Sequence, residues 1–265
     1  MLKDKVAVVY GGSGAIGASL ARTFVREGAR VFLAARDRRR LESVVGRVAA
    51  EGGLATGAVV DVLDPDAVAR HAEIVAETAG GIDIVVHAVS FMHVQGQTID
   101  ALSLEDFLRP LDLFLRSLFN VAKATTPHLG RDGRGGAFLT FSTPAAKMAV
   151  PGHLGYAATC AAKEAFTRTL AAELAPKGVR AICLRPHAIA DAPQAGSYTG
   201  ELFAAKARDA GLSVEHWLKG AAGTTMLGRL PTLADVAEMA AFLASDRAAA
   251  TTGVVADLSC GALVD

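Results

Sequence analysis

Neither charge sign dominates the 265-residue sequence, in which 27 Lys and Arg balance 27 Asp and Glu. No global field draws the chain toward nucleic acid or an anionic membrane, so any recognition of phosphate has to be local. Cysteine is scarce. Cys160, Cys183 and Cys260 lie far apart in apolar surroundings, with no C-x-x-C pair and no Cys/His cluster. This argues against a zinc site, so no metal is expected, and it leaves buried, reduced thiols as the expectation. Long hydrophobic runs are missing as well. Lys3, Asp4 and Lys5 interrupt the N-terminus before a short apolar run, which suits neither a signal-peptide core nor a bilayer span. The expected location is the cytoplasm, without a membrane partner.

Aromatic residues make up only 6% of the chain, yet 51% is hydrophobic and 20% charged. Abundant alanine, valine and leucine suit stacked helices covering a buried sheet. Short apolar runs alternate with longer helical stretches. Strands are expected at residues 6–10, 30–34, 55–60, 82–87, 136–141, 180–184 and 254–258, and helices near 13–27, 41–50, 66–79, 104–129, 156–175 and 233–244. Apolar runs of this length, separated by crossover helices, are what a parallel sheet requires. The pattern predicts an α/β protein: one doubly wound Rossmann fold with about seven parallel strands and helices on both faces. No Pro-, Gly- or Ser-rich linker divides residues 1–265, so one domain is expected. Residues 187–228 lack a clean strand and carry Pro193 and several glycines. Placed after a strand's carboxyl end, that segment is the candidate substrate lid.

Directly after the first strand comes Gly11-Gly12-Ser13-Gly14-Ala15-Ile16-Gly17, opening the first helix. Glycines there permit a tight turn and close backbone approach, and free amides at the helix N-terminus attract a pyrophosphate. Gly11, Ser13, Ala15, Ile16 and Gly17 are therefore candidate dinucleotide contacts. The second strand ends Leu33-Ala34-Ala35-Arg36, without the acid that many NAD-binding proteins place there. Two readings stand for Arg36 and the following Arg38, Arg39 and Arg40: a fork for an adenosine 2′-phosphate, or a solvated basic helix start. The first makes NADP(H) the preferred cofactor. Asp61 and Val62, after the third strand, are candidates for the adenine side or for an ordinary polar turn.

The order of these elements, with Tyr156 on a helix after the fifth strand, resembles the classical short-chain dehydrogenase/reductase family over essentially the whole chain. Further marks of the resemblance are Asp83-Ile84-Val85-Val86, Pro127-His128-Leu129, Pro151, Leu227-Gly228-Arg229, Asp235-Val236-Ala237 and Phe242-Leu243-Ala244-Ser245-Asp246. It implies cofactor contacts at Ala88 and Ile189. It also implies a serine that holds the substrate carbonyl, a tyrosine that moves the proton, a lysine that lowers the tyrosine pKa and holds the ribose, and a helix asparagine supporting a water relay. A phenol needs such a cation to act as a base near neutrality.

This sequence departs from that pattern. Tyr156 stands at the tyrosine position and Thr143 at the serine position. Cys160 replaces the motif lysine, and Phe114 falls at the asparagine position with Asn120 further along the helix. His87-Ala88-Val89-Ser90 replaces the Asn-Asn-Ala-Gly motif, and Pro186-His187 the Pro-Gly. Lys163 lies three residues beyond Cys160, on nearly the same helical face. Its side chain leans toward the helix N-terminus, so it is a candidate substitute for the ribose-binding lysine, or else a surface or subunit-interface residue. The enoyl reductases of the wider family also widen the tyrosine–lysine spacing, but by moving the tyrosine. His87, His187 and His153 are expected near the cleft, as proton carriers or as satisfied polar side chains.

The resemblance implies an NADP(H)-dependent oxidoreductase acting on a carbonyl or alcohol, with Tyr156, Thr143 and Lys163 as catalytic candidates. The alternatives are non-redox chemistry of lyase, isomerase or dehalogenase type on the same scaffold, and a catalytically silent nucleotide-binding subunit. The expected partners are a small-molecule substrate and further copies of the chain, as a dimer or homotetramer. The tail 261–265 resembles segments that pack between subunits.

Overall fold

Every residue of β1 (Val6–Tyr10) and β4 (Ile84–His87) is buried, as strands covered on both faces must be. The computed structural model describes residues 1–130 and 133–264. It places these two strands side by side in a parallel sheet with β2 (Arg30–Ala35), β3 (Ala55–Val59), β5 (Gly136–Phe141), β6 (Val179–Pro186) and β7 (Val255–Leu258). The seven strands run in the order β3-β2-β1-β4-β5-β6-β7. The chain reverses its direction of winding between β1 and β4, which opens a crevice at their carboxyl ends. Asp83 secures the opposite end of this junction, its buried carboxylate accepting the Val6 amide at 2.8 Å.

Helices α1 (Ala15–Arg26) and α2 (Arg38–Ala50) pack one face of the sheet, and α3 (Pro65–Ala79), α4 (Leu104–Thr125) and α5 (Leu154–Leu174) pack the other. Two short helices, α6 (Thr199–Asp209) and α7 (Val214–Gly223), follow β6, and α8 (Leu233–Ala244) joins α1 on the first face. Local chemistry sets several helix starts. Asp64 caps α3 ahead of Pro65, Ser103 caps α4, and Thr232 with Asp235 forms a reciprocal capping box on α8, each satisfying amides that have no partner inside the helix. None of the helices among the described residues is long and apolar enough to cross a membrane.

The structure moves several expected boundaries. The long helix expected to residue 129 ends at Thr125, and β6 runs on through Pro186. The segment 187–228 contains α6 and α7, whose Phe203 and Trp217 rings pack with centroids 5.0 Å apart. Asp265, in the expected interface tail, lies outside the described residues.

α5 is fastened to the sheet by charge as well as by apolar packing. Arg185 on β6 reaches Glu164 on α5 with Nε–Oε1 at 2.8 Å and Nη2–Oε2 at 3.0 Å. Ser142, just beyond β5, donates to the same carboxylate at 2.6 Å, and Arg185 Nη1 donates to Asp257 on β7 at 3.2 Å. Both members of the pair are about 5% exposed or less. Removing one partner of such a pair strands the other charge out of water. Arg185→Met should therefore lower unfolding free energy by about 3–5 kcal/mol, measured by urea denaturation, and adding Glu164→Gln should restore part of the loss.

Candidate active site

A cleft of about 1210 Å³ opens at the carboxyl ends of β1, β4, β5 and β6. One half is built from glycine. Gly11 adopts φ +87°, and a Cβ there would stand 2.4 Å from the Ala88 carbonyl oxygen; a Cβ on Gly17 would stand 2.3 Å from the Gly11 oxygen. Neither position admits a side chain, so the turn lies against β4 and the first turn of α1 lies against the turn. α1 starts at Gly14 with no side-chain cap and no acid in its first turn. The amides of Ala15, Ile16 and Gly17 have no carbonyl to bond within the helix and remain donors for an anion. Gly11, Ser13, Ala15, Ile16, Ala88 and Ile189 all line the cleft, whereas Gly17 contributes close packing beneath it. This cradle fits the pyrophosphate of a dinucleotide.

At the far end of the cradle, Arg36 stands exposed just past β2, its guanidinium 5.6 Å from the Phe91 ring centroid. Among the described residues it has no carboxylate partner. Its neighbours are engaged: Asp37 accepts the Arg40 amide at 3.0 Å as the cap of α2, Arg40 Nη2 donates to the Gly196 carbonyl at 2.7 Å, and Arg38 lies 3.8 Å from Glu42. Val62 lines the cleft and Asp61 does not. The Asp61 carboxylate accepts the Leu63 amide at 3.0 Å in a polar turn. Asn120 also serves this loop, donating to the Val62 carbonyl at 3.0 Å, and lies outside the cleft lining.

Thr143, Tyr156 and Lys163 line the other half. Thr143 Oγ1 lies 3.4 Å from Cys160 Sγ. Burial raises the Tyr156 phenol well above its ordinary pKa, Cys160 and Tyr198 add to the rise, and the Thr143 hydroxyl opposes it. Lys163 is 5% exposed, with Nζ 5.3 Å from the Phe114 ring centroid. Among the described residues it has neither a hydrogen-bond partner nor a carboxylate, and burial lowers its pKa. The surface or interface alternative for Lys163 is thus not the geometry found. Cys160 is buried, and burial raises its thiol pKa, which keeps it protonated and poorly nucleophilic at neutral pH.

Two residues that sequence reasoning passed over complete this half. His93 stacks on Tyr156 with centroids 4.2 Å apart, and Ser90 Oγ donates to the Tyr198 hydroxyl at 2.8 Å. No motif marks His93 or Tyr198; tertiary contact alone brings them to Tyr156. The imidazole of His93 is fixed at both ends. Nδ1 donates to the Phe91 carbonyl at 2.9 Å and Nε2 accepts from Gln95 Nε2 at 2.7 Å, which defines a neutral tautomer. Burial lowers its pKa to about 4, against the Phe91 hydrogen bond and aided by Lys206, His153 and Lys163. His87 is fully buried behind β4, with Nε2 3.0 Å from Ser117 Oγ. Ser117 Oγ also lies within hydrogen-bond reach of the Phe114 carbonyl at 3.0 Å, so it ties His87 to α4. Burial first, then Lys163, lowers its pKa to about 3. His187 lines the cleft and accepts the Ala188 amide on Nδ1 at 2.6 Å.

A glycine cradle at the crossover of a doubly wound sheet, facing a tyrosine and a buried lysine, defines a dinucleotide-binding α/β oxidoreductase site. A family model described as enoyl-(acyl carrier protein) reductase matches residues 12–262. Oxidoreductase UcpA of Escherichia coli (strain K12) is 32% identical, covering 95% of this chain and 92% of that protein. Versicolorin reductase stcU of Emericella nidulans is also 32% identical, covering 98% and 96%. A short-chain type dehydrogenase/reductase from Mycobacterium ulcerans superposes with a TM-score of 0.86 at 28% identity, covering 98% of this chain and 90% of that one. The chain belongs to the classical short-chain dehydrogenase/reductase family, whose cofactor is a nicotinamide dinucleotide.

The depressed histidines predict acid sensitivity. Above about pH 6.5 they are neutral whether the chain is folded or not; below it the unfolded chain takes up protons that the folded one refuses. Stability should therefore fall as pH drops from about 6.5 toward 4. Nitrogen NMR of the folded protein at pH 6 should show His93 neutral, with its proton on Nδ1, and His87 neutral.

Proposed function

We propose that the chain is an NADP(H)-dependent oxidoreductase that reduces a carbonyl group, with Tyr156 as acid/base, Thr143 orienting the carbonyl and Lys163 holding the nicotinamide ribose. The observation that carries this reading is the placement of Lys163, a buried ammonium without a counter-ion among the described residues, which lines the same cleft as Tyr156 and Thr143. Such a charge is costly unless polar ligand groups replace the water it has lost, and ribose hydroxyls are groups of that kind. In this reading the family tetrad is altered: Thr143 takes the serine position, Cys160 the lysine position and Phe114 the asparagine position, while Tyr156 is kept. Lys163 supplies the missing charge from one turn further along α5.

When bound, the nicotinamide gives or takes the hydride. The chain's own residues manage the proton. The Thr143 hydroxyl, beside Tyr156, holds the carbonyl oxygen where the phenol protonates it. Burial raises the Tyr156 phenol well above its ordinary pKa, so it stays protonated at neutral pH. That state is an acid ready to donate, which favours reduction over alcohol oxidation. The preference for NADP(H) rests on Arg36, whose free fork suits a 2′-phosphate where an acid would repel one. Residues 187–228 act as the substrate lid of one 1–265 domain. The Arg40–Gly196 and Ser90–Tyr198 hydrogen bonds latch the lid to the sheet side. Exposed Leu104, Leu108 and Phe119 on α4 and Leu154 on α5 are the apolar surface expected of a cytoplasmic homo-oligomer.

The test is NADPH consumption, followed at the nicotinamide absorbance over a panel of ketones and aldehydes. Tyr156→Phe should lower kcat by about 10²–10⁴-fold without weakening NADPH binding; persistent turnover in this variant, or none in the wild type, refutes the assignment. Arg36→Ala should weaken NADPH binding by about 10–100-fold and leave NADH binding nearly unchanged, as read by calorimetry. Lys163→Met should raise the Kd for both cofactors. Reduction should hold steady to about pH 9, while alcohol oxidation climbs with pH as the phenol ionises.

A further inference from the structure

Beyond Tyr156 the cleft reaches the lid, and the charges there are unbalanced. Lys206 on α6 lines the cleft with Met148, Val150, Leu202, Phe203 and Trp217. Its ammonium donates to His153 Nε2 at 2.7 Å and stands 5.7 Å from the Trp217 ring centroid. His153 accepts as a neutral ring, because its Nδ1 donates to the Pro151 carbonyl at 3.0 Å. The hydrogen bond therefore orients Lys206 without neutralising it. Among the described residues the single acid lining the cleft is Asp37, at the adenosine end and already bonded to the Arg40 amide. The groups facing Lys206 are the neutral imidazoles of His153, His93 and His187, with Arg109 of α4 also lining the cleft.

We infer that the substrate is an anionic carbonyl compound, an oxo acid or the corresponding hydroxy acid, and that Lys206, held by His153, binds its carboxylate and selects for it. The inference rests on the oxidoreductase reading of the same cleft and extends it to a substrate class. An ammonium held over an indole between apolar side chains suits one carboxylate at the end of a short aliphatic chain; a phosphate dianion calls for more donors than this wall provides. Lys206 also lies near enough to His93, which stacks on Tyr156, to influence its protonation. The anion site and the proton donor thus belong to one chamber. Burial lowers the Lys206 pKa to about 8, and an anion would reverse that shift.

The experiment compares levulinate and its longer linear homologues with their methyl esters as substrates for the full chain with NADPH. The wild type should prefer the acid, and Lys206→Met should lower the acid-to-ester ratio of kcat/KM by about 10–100-fold. Lys206→Arg should keep most of the ratio, and the acid preference should fade above about pH 8. Equal use of acid and ester by the wild type, or an unchanged ratio in Lys206→Met, overturns the inference. Absence of turnover with every compound overturns the redox reading instead. In that case the fluorescence of Trp217, the one tryptophan of the chain, decides the anion site. A saturable change with the acid that disappears in Lys206→Met sustains the inference, and no change in the wild type overturns it.

Discussion

Between α5 and the sheet, Glu164 and Arg185 share two hydrogen bonds out of contact with water, and the chemical half of the cleft hangs from that pair. Glu164 follows Lys163 directly in a helix that also carries Tyr156 and Cys160. Pinning Glu164 to β6 and Ser142 therefore fixes the rotation of α5 about its axis. A helix held by apolar contacts alone can slip or turn at small cost, whereas a buried, bidentate ion pair tolerates little displacement before a charge is left without a partner. With that rotation set, Lys163 lies against Phe114 and Tyr156 against His93.

A chain with no net charge has nonetheless built a cationic cleft. Arg36, Lys163 and Lys206 line it, and among the described residues none of the three has a carboxylate partner. The histidines around them add no charge, because burial outweighs hydrogen bonding and keeps His87 and His93 neutral. Each ammonium or guanidinium is therefore a discrete local demand for an anion or for hydroxyl groups. The balance of charge over the whole surface and the imbalance inside the cleft do not conflict, since field strength in a partly desolvated crevice depends on the nearest groups.

Much of the fold was legible because parallel sheets impose coarse, repetitive patterns. Continuous apolar runs marked all seven strands, and the glycines after β1 marked the cradle. Errors came where local pattern carries little information. Proline 186 hid the last turn of β6 from view, and the polar, glycine-bearing stretch after it concealed α6 and α7, which are stabilised by packing of Phe203 on Trp217 rather than by strong helical periodicity. In the site, Thr143, Tyr156 and Lys163 were candidates through the family resemblance, and the structure lines one cleft with all three. Asp61 was assigned from position alone, and its carboxylate closes a turn with Leu63.

His93 and Tyr198 belong to no motif and lie far from Tyr156 in sequence, so only the folded chain shows them beside it, with Lys206 lining the same cleft. What the amino-acid order determined by itself was the sheet and the glycine cradle after β1, because those depend on short-range patterns and backbone sterics. Tertiary structure decided where the ammonium of Lys163 lies, how the His93 imidazole is held and that Lys206 lines the cleft with no carboxylate partner among the described residues. Burial, hydrogen-bond partnership and the absence of a counter-ion are properties of what surrounds a side chain, and those surroundings exist only once distant segments have packed.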